Sequence, residues 1–572
     1  MSITEHLRIT PQTEIDALET AVRWPDAASA TVLALVEQLS ATRRYDRGYA
    51  YFDELARDRP EQPLFLALAG LFQARSGRRI DEAVAKLDTA VSKQAGLPHY
   101  FRGLVLAELP VAAARSADAV ADLQLVLSLR DRIPVGLRRS VYLGLARVHA
   151  ALGQDALAAD ALAKSGVPGD QDVLTTDYSV TEQDGFRFGP KRIVSPADGV
   201  HVAQGYDFAD IAFVTTDDGI VMIDTGSTPA NARAALAAFR GVSDRPITHV
   251  ILTHGHWDHT GGLDAVREPG TVVIAQAGFA AEQAVANSIP LPYRGFAPAD
   301  RERQQNVVPD LLVGERQSMN VGGTDFVLYP AHGGETHDAL IIHLPQRHVV
   351  FSGDVMMPYL GAPFLPEGSA DGLFEAMSLI ERLVPKVVIH GHTGLTRVFT
   401  ADVLPALRMA LEDLHRVIVE SLADGATVGE ILRRNHLSDV LRTTPGAVIP
   451  YLVMRDNVIK RVHRQRTGYW QPNGDGIETV TPSEWAAVLD LLAGGREQAF
   501  VDAVDELNAR GEDVLALKLA DHGLSRYPAS TALASSRQSA LKRLVERNQG
   551  LNPFKFVVYS ELAGLRLAPM TV

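Results

Sequence analysis

The sequence predicts an α/β domain at its centre with an all-helical domain on either side, and three observations carry that reading. Up to about residue 170, apolar residues recur at helical spacing and almost no run alternates as a strand would. From about 185 to Val398, short runs rich in β-branched residues alternate with helical stretches and turn residues, the texture of covered sheets. After Phe399 the helical pattern returns. A chain of 572 residues has room for three domains, with boundaries read at 1–180, 181–399 and 400–572.

Within the first segment, Arg43-Arg44-Tyr45-Asp46 recurs as Arg78-Arg79-Ile80-Asp81, and Ala83-Val84 with Leu87 recurs as Ala119-Val120 with Leu123. A further copy begins at Ala156-Leu157. A period near about 34 residues with small side chains at helix crossings resembles tetratricopeptide-type helix pairs. Such a module packs or binds other proteins and carries no visible chemistry. In the second segment, strands are read at Val200–Val202, Ile211–Val214, Ile220–Ile223 and Val250–Leu252, with helices at Pro229–Phe239 and Thr260–Val266. In the third, helices are read at Ala401–Ala423 and Trp485–Gly494, with a mixed stretch from Pro445 to Gly476 between them. Paired helices follow from Glu497 to Asn548, with a turn at Gly511 and a stop at Pro528.

Composition narrows the chemistry. Lys and Arg number 55 against 69 Asp and Glu, a net charge of −14, which argues against nucleic acid as partner. With 46% hydrophobic and 22% charged residues the chain is an ordinary globular one. The absence of cysteine excludes disulfides, thiolate metal sites and cysteine nucleophiles, so any metal must be held by His, Asp or Glu. The N-terminal segment lacks a basic stretch followed by an apolar one, and no apolar run approaches membrane-spanning length. The expectation is a cytoplasmic protein without membrane contact.

The residues that carry chemistry are Thr253-His254-Gly255-His256-Trp257-Asp258-His259-Thr260-Gly261-Gly262, directly after the apolar run Val250-Ile251-Leu252. A strand end followed by a glycine-containing loop lets His254 and His256 point at one centre, while Asp258 and His259 face a second beside it. Three imidazoles and a carboxylate so close together, with nothing to hold, would be costly to bury.

This motif resembles the signature of the metallo-β-lactamase superfamily, and further motifs resemble that family in the same order. The resemblance implies an αβ/βα sandwich for the central domain. Val221-Met222-Ile223 leading into Asp224-Thr225-Gly226 looks like the first motif, whose Asp orients a ligand. Phe351-Ser352-Gly353-Asp354 looks like the strand that delivers the carboxylate shared by two metals. Val387-Val388-Ile389-His390-Gly391-His392 resembles the strand before the last ligand, with His392 read as ligand and His390 as the alternative. For the remaining ligand the register of Ile341-Ile342-His343-Leu344-Pro345 favours Glu335, with His332 as the alternative. A glutamate there resembles the alkyl sulfatase branch. So do the stretches Asn457-Val458 to Asn473-Gly474 and Asn552-Pro553-Phe554, which look like that branch's helical dimerisation domain.

The resemblance implies seven ligands, His254, His256, Asp258, His259, Glu335, Asp354 and His392, for two divalent ions, Zn²⁺ by donor type. The function implied is cleavage of a small anionic ester, an alkyl sulfate, by hydroxide that the metals activate, in a homodimer. Asp258 and two candidate proton donors, His337 and Tyr359, are expected to be catalytic, with His390 a further donor candidate. Arg397 and Arg455 are the candidate cations for the ester's anionic group. Asp354 stands where those sulfatases have Glu, and Glu367 where they have a sulfate-binding Arg. These departures keep a second reading open: another hydrolase of the superfamily, acting on a thioester, lactone or phosphodiester. A non-catalytic protein that binds partners through its N-terminal helices is a third, disfavoured by the complete ligand set.

Overall fold

The computed structural model describes residues 11–108, 115–129, 135–165, 173–176, 178–181, 185–288, 306–332, 334–357, 368–468, 470, 474, 476–549, 551–564 and 566–569. The chain forms two compact units, one of residues 178–478 and one of 1–177 together with 479–572. Among the described residues no helix is long and apolar enough to cross a membrane.

The 178–478 unit is built on two sheets. The first runs β1 (Arg192–Ala197), β2 (Val200–Gln204), β3 (Ile211–Thr215), β4 (Ile220–Ile223), β5 (Ile247–Ile251), β6 (Val272–Gln276) and β7 (Leu311–Val313) in chain order across seven strands. Its first four strands pair antiparallel and the rest parallel. The second sheet runs β8 (Gln317–Val321), β9 (Thr324–Ala331), β10 (Ala339–Leu344), β11 (Val349–Gly353) and β12 (Val387–His390), with only the last pair parallel. Their inner faces make one apolar core in which Val202, Val221 and Ile251 meet Phe326, Ile342 and Phe351. The outer face of the first sheet is covered by the helix Pro229–Phe239, with Phe239 stacked on Phe213. Strands buried on both faces explain the near-continuous apolar runs at Ile220–Ile223 and Val349–Phe351.

Two local expectations change. The helix expected over Thr260–Val266 is instead one α turn at Trp257–Thr260 and a 3₁₀ turn at Leu263–Ala265. Between them Gly262 passes so close to the Thr225 carbonyl that a Cβ would overlap it. The mixed stretch expected from Pro445 contains a 20-residue helix, Val448–Thr467. Its periodicity is hidden because Arg455, Asp456, Arg461 and His463 are buried along with its apolar residues.

The division of the chain also differs from the expected one. Helices Leu404–Ala423 and Val448–Thr467 pack on each other and on helix Ala370–Arg382, so they belong with the sheets. Residues 479–572 belong with the N-terminal helices. The reason is visible in the buried Glu14, whose carboxylate accepts from Arg547 at 3.1 Å and from Lys555 at 3.0 Å. Arg547 also donates to Gln38, 2.7 Å away. These bonds join the two ends of the chain and give each buried charged group the partner that burial requires.

Candidate metal centre

The residues of the centre lie in the segments that follow strands, where the sheet fixes the direction in which each connection starts. His254 and His256 follow β5; Asp258 and His259 lie on the short helix Trp257–Thr260. Glu335 is in the β9–β10 connection, Asp354 follows β11 and His392 follows β12. These positions converge as two groups whose ligand-type atoms lie within 4.8 Å of one another: His254, His256 and Glu335, and Asp258, His259, Asp354 and His392.

In the first group Glu335 Oε2 is 3.4 Å from His254 Nε2 and 3.5 Å from His256 Nδ1. In the second, His392 Nε2 is 2.9 Å from Asp354 Oδ2 and 3.4 Å from Asp258 Oδ2, and His259 Nε2 is 3.4 and 3.5 Å from the same two carboxylates. The groups adjoin, with the rings of His254 and His259 4.2 Å apart. Close approach at the centre demands glycine at 391, since a Cβ there would overlap Asp354 Oδ1 and lie 2.6 Å from His259 Cε1.

The inward nitrogens are held from behind. Asp224 accepts from His259 Nδ1 at 2.8 Å, from the Thr253 N–H at 2.8 Å and from the Thr253 hydroxyl at 2.7 Å. Its backbone is left-handed, φ +57°, a conformation costly for a residue other than glycine and stabilised here by these contacts. His392 Nδ1 donates to the Phe208 carbonyl at 2.9 Å. These bonds place the Nδ1 protons and leave each Nε2 for the centre.

Charge divides the two groups. Burial, helped by the neighbouring imidazoles, holds His254 well below its ordinary value, and burial lowers His256 too. For His259 and His392 burial works the same way but is outweighed by Asp258 and Asp354, so His259 is raised and His392 is pushed up to about 9. The two carboxylates are correspondingly held well below the usual range by those imidazoles, against the effect of burial. The set fits a divalent metal: seven N and O donors, with Nε2 of His254, His256 and His259 buried and lacking a hydrogen-bond partner.

The alternatives separate clearly. His332 is exposed, its Nδ1 3.3 Å from Gln276 Nε2 and from the His337 carbonyl. His390 is buried behind the centre, its Nε2 donating to the Phe399 carbonyl and its Nδ1 accepting from Ser352, both at 2.8 Å. Burial pushes it down to about 4, against the Phe399 carbonyl and Asp354, which favour its protonated form. His337 is exposed two residues beyond Glu335. Arg397 is exposed on the helix Thr393–Val398, where its charge acts on the buried Asp210. Arg455 is buried in the helix Val448–Thr467 and donates to Asp456 at 3.0 Å and to Asn435. Tyr359 and Glu367 lie outside the described residues. Thr253 and the Phe208 carbonyl escaped the sequence reading; Thr253 precedes the first histidine, but nothing local marks a carbonyl more than a hundred residues away.

Residues 205–392 match the model of the Metallo-beta-lactamase superfamily. The chain is 24% identical over 341 residues to a linear primary-alkylsulfatase of Pseudomonas sp., covering 51% of this chain and 62% of that one. It is 22% identical to an alkyl/aryl-sulfatase of Saccharomyces cerevisiae over 55% of each. It thus spans about six-tenths or less of the length of these relatives. A hydroxyacylglutathione hydrolase of Cereibacter sphaeroides is 26% identical over 204 residues, 35% of this chain and 68% of that one. Among solved structures, the sec-alkylsulfatase Pisa1 from Pseudomonas sp. superposes with a TM-score of 0.54 at 19% identity, covering 64% of each chain. The likeness to the metallo-β-lactamase superfamily is carried by residues 205–392, which include most of the sheet domain. Within that superfamily it resembles the alkylsulfatases, the match reaching beyond the sheets into the flanking sequence.

Proposed function

We propose that the protein is a dinuclear metal-dependent hydrolase of alkyl sulfate-type esters. One observation supports this above all: two adjoining ligand groups, seven side chains in all, meet at one end of the two sheets. His254, His256 and Glu335 would hold one ion, and Asp258, His259, Asp354 and His392 the other, with Zn²⁺ the fitting metal. Two such ions supply Lewis acidity toward an anionic oxygen and make water a nucleophile near neutral pH. The chain's own residues orient the site: Asp224 and the Phe208 carbonyl fix the tautomers of His259 and His392. His337, exposed beside Glu335, would give the leaving alcohol its proton; a His337→Ala enzyme with unchanged turnover would remove it from that role. Arg397 is the cation for the sulfate, its replacement by Ala expected to raise KM.

The test is hydrolysis of a panel of alkyl sulfate, thioester, lactone and phosphodiester by the metal-loaded protein, with Asp258→Ala as control. Sulfate turnover that vanishes in the control supports the proposal, and cleavage of another ester alone replaces it. The thioester is the stronger second reading, favoured by the hydroxyacylglutathione hydrolase similarity and by Glu367 where the sulfatases carry Arg.

The protein forms a homodimer in this proposal, supported by an uncovered apolar face on the helix Pro482–Leu492. There Trp485 and Val488 are about half exposed, and Leu491 and Leu492 are 81% and 82% exposed. Leu491→Ser with Leu492→Ser is expected to yield a monomer by light scattering.

A further inference from the structure

The second ligand group has an evident holder in Asp224; in the first, the Thr253 hydroxyl meets His254 Nδ1 at 3.1 Å, and a further carboxylate stands behind the turn that carries both histidines. Asp338 stands in the corresponding place. It lies three residues after Glu335, immediately before β10, and is completely buried. Its Oδ1 accepts from the Thr336 hydroxyl at 2.7 Å, which ties it back into the loop that carries Glu335. Its other oxygen lies against Gly255, the residue between His254 and His256, 3.0 Å from where a Cβ there would stand. The Gly255 N–H faces this carboxylate and favours its charge, against the effect of burial. Gly255 is also backed by the start of the helix Phe279–Asn287, with the Phe279 carbonyl and the Gln283 nitrogen each 3.6 Å from that Cβ position. The His254–His256 turn is therefore held between that helix and Asp338.

We infer that Asp338 is the positioning residue of the first metal position, joining the Glu335 loop to the backbone between His254 and His256 so that the three ligands keep one geometry. The inference rests on the dinuclear reading above and deepens it. Burying a carboxyl at this place has a cost, seen in its pKa of about 7. Glu282, on the helix Phe279–Asn287, adds to that cost by repulsion while accepting from the His337 N–H. Neither oxygen of Asp338 belongs to the two ligand groups, so its contribution acts through the loops it joins.

The test is metal uptake by the metal-free full-length protein, titrated with Zn²⁺ against a chromophoric chelator and with Co²⁺ followed by its visible spectrum. His254→Ala identifies the signal of the first position. Asp338→Ala is expected to weaken that same equivalent by about 10–100-fold, the usual effect of losing a ligand's supporting partner, and to leave the other unchanged. Asp338→Asn keeps the size and the Thr336 bond but can turn an N–H toward Gly255. It is expected to weaken the first equivalent by about tenfold or more, and it decides the matter alone if the alanine variant does not fold. Unchanged affinity at both positions, or equal loss at both, overturns the inference. A wild-type protein that takes up fewer than two equivalents overturns the dinuclear reading itself, whatever Asp338 does.

Discussion

The two halves of the centre are built from neighbouring residues of one motif yet differ in electrostatic design. His254, His256 and Glu335 bring one carboxylate and two imidazoles that burial keeps neutral. Asp258, His259, Asp354 and His392 bring two carboxylates and two imidazoles that those carboxylates keep charged. Without metal, the second half is a cluster of ion pairs between two imidazoles and two carboxylates. In the first half the Nε2 atoms of His254 and His256 are buried without hydrogen-bond partners on imidazoles that burial keeps neutral. A cation entering the first half finds lone pairs waiting; one entering the second must displace protons and is repaid by two negative charges.

The largest test of that contrast removes a charge from the second half. Asp258→Ala should reduce turnover by about 10³-fold, the scale of losing one preorganised charge contact at a reacting centre. It should also abolish one of two bound equivalents, read by metal analysis. Next in size is Asp224→Asn, which can keep the left-handed backbone while weakening the bonds to His259 Nδ1 and Thr253. The second equivalent should bind about 10–100-fold more weakly, and the first should lose less, because Asp224 reaches His254 only through the Thr253 hydroxyl.

The pH dependence separates the halves without mutation. His392 titrates at about 9 and His259 is raised, so both are protonated at neutral pH in the metal-free protein. Affinity of the second half should therefore climb with pH, about tenfold per unit for each proton displaced, and level off only above about 9. His254 and His256 are lowered, so affinity of the first half should already be level above pH 6.5. Calorimetry in buffers of different ionisation enthalpy reads the protons released; equal release from both halves would remove the distinction.

The smallest effect on the centre comes from a control in the other unit. Burial alone would raise Glu14, but Lys555 and Arg547 overcome it and hold the carboxyl well below its ordinary 4.5. A lowered carboxyl stabilises at pH above 4.5 and loses that contribution as pH falls below it. Glu14→Gln should destabilise the unit of chain ends by about 3 kcal/mol at neutral pH, read by denaturant melting, and flatten its acid sensitivity. Metal affinity at either half should not move.

Much of this was legible in the sequence because it is local. A strand end followed by His-x-His-x-Asp-His brings four candidate ligands together through consecutive residues, and the short β-branched runs mark the strands that carry them. Glu335 and His332 could not be separated that way, being three residues apart on one loop. Only the β9–β10 pairing turns Glu335 inward and leaves His332 outside with Gln276. His390 and His392 flank one glycine, and strand alternation would put both on one face; the strand ends at His390, and the turn into the helix Thr393–Val398 sends His392 to Asp354 while His390 stays with Ser352 and Phe399. Arg455 read as a possible anion contact because charge is expected at surfaces; its partners, Asp456 and Asn435, are what make its burial tolerable.

By itself, then, the sequence determined the sheet strands, the donor types and the cluster His254 to His259, because spacing along a strand and its following loop is a property of consecutive residues. Tertiary structure alone decided which distant residues complete each half, where Asp338 sits, and that residues 479–572 fold with the first 177 rather than with the helices before them. Those outcomes depend on pairing buried polar groups across hundreds of residues, as Glu14 with Arg547 and Asp354 with His392, and such pairing leaves no periodic trace in the chain.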